Sequence, residues 1–101
     1  MADPRVSRAI SVVKYALYSD PLMDEVQVVR TILKKSLTKE ERAIFIGVAA
    51  GVPIKWYRTF YSTWITEIIK KAAYKFMAAV DKELVINEDI LNASVEKEEY
   101  G

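Results

Sequence analysis

The chain has 101 residues, 51% of them apolar and 29% charged, with a net charge of +1. That composition fits one folded domain with room for a core, and not a disordered chain. Cysteine and histidine are both absent, so disulfides, thiolate metal sites, cysteine nucleophiles and histidine acid–base chemistry are excluded by inventory.

Asp3-Pro4 reads as a helix start, an acidic cap followed by proline where its missing N–H costs nothing. Val6, Ile10, Val13 and Leu17 then recur at helical spacing with Ala9, Val12 and Ala16 beside them, so one face is expected to be buried and Arg5, Ser7, Ser11 and Lys14 to face water. Ser19-Asp20-Pro21 repeats the device. The second helix should carry Leu22, Val26, Val29 and Leu33 as its stripe, widened by Ile32 and Leu37. Asp24 and Glu25 near its start and Lys34 and Lys35 near its end complement the helix dipole.

Thr38-Lys39-Glu40-Glu41 has the spacing of a capping box and should open a third helix. Ala43 to Ala50 is apolar on every side, which implies burial all round, and Gly51 supplies the left-handed residue that ends the helix. Beyond Pro53 helical spacing continues for some thirty residues. This is either one helix or two, the second capped by Ser62, because Thr59, Thr63, Ile65 and Thr66 lower helix propensity there. Ile65, Ile68, Ile69, Ala72, Ala73, Phe76, Val80 and Leu84 form its buried face. Residues 87–101 read as an acidic tail, with Asn87 as the cap of a short helix that then frays. The expected fold is all-α, a compact array of four to five helices joined by short turns, with residues 1–86 as a single helical domain.

Charge is segregated along the chain. Residues 51–80 carry Lys55, Arg58, Lys70, Lys71 and Lys75 against Glu67 alone, whereas residues 81–101 carry seven acids against Lys82 and Lys97. A basic segment followed by an acidic one fits an anionic partner for the first, screened by the second when the partner is absent. Side-chain amides occur only at Gln27, Asn87 and Asn92, the direction in which hyperthermophile proteins lean. The N-terminal residues show no secretory pattern, and the longest uncharged run, Ala43 to Ile54, falls short of the roughly 20 residues of a membrane span. The expected location is intracellular, in the cytoplasm or inside a virion or other assembly.

The most informative stretch is Ile44 to Trp64. Ile46, Ala50, Gly51 and Val52, followed by Tyr57 and Phe60, resemble the helix-turn-helix of TetR-type transcriptional regulators, with Gly47 and Pro53 standing where that family favours alanine and serine or threonine. The resemblance covers about residues 24–64 and implies a helix-turn-helix at about 38–62 whose second helix enters the major groove of duplex DNA. On that basis Lys55 and Arg58 would meet phosphates or base edges and Tyr57 and Tyr61 would donate to phosphates, with Lys70 and Lys71 as further basic contacts.

Five of the eleven aromatic residues fall between Trp56 and Trp64. Tyr57, Phe60, Tyr61 and Trp64 align on one helical face and read first as core, with Trp56 pointing elsewhere. Phe45, Trp56, Phe60 and Trp64 also fit a subunit interface, since such rings dominate interface hot spots. Aromatics beside lysine and arginine suit base stacking as well. Two functions follow. The first is a small nucleic-acid-binding protein, a homo-oligomer on duplex DNA. The second is a structural subunit of a filament, coat or similar assembly. No P-loop, dinucleotide fingerprint or nucleophile elbow occurs, so the chain is read as a non-enzyme without cofactor or metal.

Overall fold

The computed structural model describes residues 3–61 and 64–84. They form five helices and no strand: α1 Pro4–Tyr18, α2 Asp24–Ser36, α3 Lys39–Ala49, α4 Ile54–Tyr61 and α5 Ile65–Glu83. The long basic segment is therefore two helices. The cap expected at Ser62 and the acidic tail at residues 87–101 lie outside the described residues.

The starts of α1 and α3 follow from local chemistry. Asp3 sits in extended backbone and its carboxylate accepts the Arg5 N–H at 2.9 Å, with Pro4 in the first helical position. Thr38 and Glu41 close a full capping box: the Glu41 N–H donates to the threonine hydroxyl at 3.1 Å and the Thr38 N–H to the glutamate at 3.0 Å. Asp20-Pro21, also expected to open a helix, does not. Its carboxylate accepts the Leu22 N–H at 2.9 Å and its carbonyl the Met23 N–H at 3.1 Å, which makes a tight Asx-type turn. Helix α2 starts three residues later, at Asp24. Leu22, expected on the buried stripe, belongs to that turn and is 83% exposed.

Helix α3 ends in a Schellman motif. Gly51 has φ +106°, its N–H donates to the Val48 carbonyl at 3.1 Å, and the Val52 N–H reaches the Gly47 carbonyl at 2.9 Å. These are the two bonds that satisfy terminal carbonyls and turn the chain out of its helix. They fix where α4 begins and the direction in which it leaves.

The core is contributed by α1, α2, α3 and α5, with α5 touching all four other helices. Ala9, Val12, Val13, Val26, Val29, Ile44, Phe45, Ile65, Phe76 and Val80 are fully buried, and the Phe45 and Phe76 rings meet at 5.9 Å between centroids. Ser11, expected to face water, is buried and donates its hydroxyl to the Ser7 carbonyl at 2.9 Å. Burial inside the helix packing is affordable for serine because its own helix supplies the acceptor. Helix α3 is not buried all round: Ala43 and Ala50 face solvent, while Ile44, Phe45, Val48 and Ala49 face inward.

Ion pairs tie α5 to α1 and α3. Arg8 of α1 meets Asp81 at 2.9 Å, and Lys75 meets Glu41 of α3 at 2.7 Å. Among the described residues no helix is long and apolar enough to cross a membrane.

Candidate nucleic-acid interface

Helix α4 is the element on which the sequence places most of its recognition chemistry, and one contact sets its rotation. The Tyr57 ring is buried against α3 over Gly47, where a β-carbon would fall inside the tyrosine hydroxyl and 3.1 Å from its Cζ. A glycine in the interior of a helix leaves a notch, and Tyr57 fills it. With Tyr57 inward, helical geometry turns the residues on the far side of α4 outward.

The outward residues are Lys55, Trp56, Arg58, Thr59 and Phe60. Trp56 is 53% exposed and Phe60 66%, although their rings touch at 4.8 Å between centroids and 54°. Trp56 also meets the Tyr57 ring edge-on at 5.1 Å. The pair thus forms a ridge anchored at its base by the buried tyrosine. Trp64, immediately before α5, is 69% exposed. Neither Lys55 nor Arg58 has an acidic partner among the described residues, and α4 itself carries no acid.

The expected site residues therefore divide. Lys55, Arg58, Trp56 and Phe60 are all exposed on α4, with Trp56 and Phe60 on one flank and Arg58, two positions from each, on another. Tyr57 does not belong with them: its ring is a buried packing wedge with its hydroxyl over Gly47, and burial, with the neighbouring Tyr61, pushes its pKa up. Tyr61 is half-buried against the core. Phe60 and Trp64, aligned by spacing with Tyr57 as core, are exposed instead. Phe45, expected at an interface, is wholly inside the core on Phe76.

The two lysines of α5 point to different places. Lys70 lies 5.9 Å from the centroid of the Tyr74 ring, on which Arg5 of α1 also sits at 5.1 Å. The Tyr74 hydroxyl donates to Asp3 at 2.6 Å, and this bond, with the Arg5 N–H and the Lys70 charge, holds the Asp3 carboxyl below its usual range. Lys70 thus belongs to a cluster at the start of α1. Lys71 is exposed on the outer face of α5. Thr59 and Arg5 were not singled out by sequence reasoning. Thr59 follows once Tyr57 is known to point inward, and Gly47 in mid-helix was the available signal; Arg5 is brought to Lys70 only by tertiary packing.

Elsewhere, a groove of about 430 Å³ runs between α2 and α5, lined by Val28, Ile32 and Ala79 with Gln27, Lys35 and Glu83 at its polar margin. Among the described residues no three His, Cys, Asp or Glu side chains converge to hold a metal. No family model, curated protein or solved structure matches this chain.

Proposed function

We propose that this chain is a small nucleic-acid-binding protein and that α4 is its contact element. The observation that carries the reading is the pairing, on one short outward helix, of two cations without acidic partners, Lys55 and Arg58, with exposed aromatic rings and no acid. Cations bind phosphate through counterion release, and a helix fixed by a turn and by a buried tyrosine presents its exposed cations to a polyanion in one orientation. The resemblance of residues 46–60 to a helix-turn-helix agrees with that placement, although Tyr57 takes a packing role. The test is the affinity of the protein for a labelled oligonucleotide at low salt. Lys55→Glu with Arg58→Glu should weaken binding strongly, whereas the charge-matched control Arg30→Glu with Lys34→Glu on α2 should leave it unchanged. Binding unaffected by the α4 pair would refute the reading.

A second reading is favoured by a separate observation. Besides the α4 ridge, Tyr18, Leu22 and Met23 form another exposed apolar group at the α1–α2 turn. Two unlike apolar patches on one small subunit suit a head-to-tail assembly. Light scattering against protein concentration, without nucleic acid, tests it: a monomer at all concentrations would rule the assembly out.

A further inference from the structure

Building on the reading of α4 as a nucleic-acid contact, we infer that its ligand is an unpaired strand whose bases stack on the Trp56–Phe60 ridge, and not the groove of a duplex. Three features support this. First, with Tyr57 anchored in the Gly47 notch, Trp56 and Phe60 hold flat aromatic surface exposed along one flank of α4, beside the outward Lys55 and Thr59. Groove readout requires donors and acceptors aimed at base edges, and in a duplex the faces of the bases are covered by their neighbours in the stack. Only an unpaired base offers its face to a ring.

Second, the two rings are tilted by 54° rather than stacked on each other, so each keeps ring surface exposed. Trp56 is also braced edge-on by the buried Tyr57 at 5.1 Å. A braced ring gives up little rotamer freedom on binding, which favours stacking over loose surface contact. Trp64 adds a third exposed ring just beyond α4.

Third, the charge complements a strand's backbone. Lys55 and Arg58 are exposed on the flanks of the helix that carries the rings, and no carboxylate on α4 opposes phosphate. Stacking rings on a cationic helix track a strand without reading its sequence. The ligand is therefore single-stranded DNA or RNA bound with little base preference.

The experiment compares a short labelled DNA strand, RNA of the same sequence, and the DNA annealed to its complement, at one low salt concentration. Binding is followed by anisotropy and by the protein's tryptophan emission. Tighter binding of either single strand than of the duplex, by about tenfold or more, with quenched tryptophan emission, is expected. Trp56→Ala should weaken single-strand binding by roughly 5- to 150-fold and Trp56→Phe should restore most of it. Circular dichroism of each variant guards against misfolding. Duplex bound as tightly as single strand, or single-strand binding indifferent to Trp56→Ala, would overturn the inference while Lys55→Glu with Arg58→Glu still tests the broader reading. No binding to any of the three would overturn both.

Discussion

Tyr57 packs into a space that exists only because residue 47 is glycine: a β-carbon there would overlap the tyrosine hydroxyl and sit 3.1 Å from Cζ. This one contact links the interior of α3 to the outward face of α4. Gly47→Ala should therefore do more than change helix propensity. Alanine gains up to about 1 kcal/mol in an α-helix, but overpacking costs about 1–3 kcal/mol, and the overlap with Tyr57 is severe enough for the second effect to win. A net fall in thermal stability is expected. Because part of the clash is with the hydroxyl, Tyr57→Phe should relieve some of it, and a double-mutant cycle by thermal melts should show the two changes to be non-additive.

Exposure separates the aromatic residues of α4 by their energetic role. Tyr57→Ala removes a buried ring and should cost about 3 kcal/mol. Trp56→Ala removes a half-exposed ring whose main partners are its neighbours on the same helix, and should cost about 1 kcal/mol or less. Denaturant unfolding of both variants checks the contrast. Equal losses would mean that α4 is rotated from the orientation described.

Gly51 has φ +106° and open space where a β-carbon would go, so substitution there is a pure test of backbone conformation. Gly51→Ala should destabilise by about 1–2 kcal/mol. Gly51→Asn should cost less, since asparagine tolerates left-handed backbone better than other residues with a side chain.

The Glu41–Lys75 pair makes stability depend on acid. Burial raises the Glu41 pKa, but the hydrogen bond from Lys75, the Thr38 N–H and the lysine charge outweigh it, and the carboxyl lies below its usual 4.5. A depressed carboxylate contributes stability that is complete above about pH 4.5 and is lost as pH falls through the lower folded value. Asp3, held down chiefly by the Tyr74 hydroxyl, acts in the same direction below its usual 3.8. Melting temperatures should therefore decline on acidification from this range, and Glu41→Gln should flatten the decline. Since the Lys75 side chain is 38% exposed, solvent screens the pair, and Glu41→Gln should cost only about 1 kcal/mol at neutral pH.

Much of this fold is legible from local chemistry alone. Asp3-Pro4, the Thr38–Glu41 capping box and Gly51 each satisfy backbone groups within a few residues, so nothing distant can override them. The faces of α2 and α5 follow from periodicity except at their ends. What periodicity cannot supply is the rotation of a short helix. Helix α4 has eight residues, and its aromatics occupy enough of the circumference that either Tyr57 or the Trp56–Phe60 side could face inward. The choice is made by Gly47, ten positions away, through a contact that exists only in three dimensions. Likewise, Asp20-Pro21 has the residues of a helix cap, yet its carboxylate and carbonyl are spent on Leu22 and Met23, which delays α2 to Asp24. Ser11 looked polar enough for the surface, and only its bond to the Ser7 carbonyl explains its burial.

The central claim is that the outward face of α4 binds phosphate through Lys55 and Arg58. The most direct test is the dependence of binding on salt, measured for a single-stranded oligonucleotide with wild type and with Lys55→Glu, Arg58→Glu. Each phosphate contact contributes about 0.7 to the slope of log affinity against log salt for a single strand. The account expects the variant's slope to be shallower by about 1.4 or more, together with weaker binding. Parallel lines of equal slope would contradict it and place the contact elsewhere on the protein.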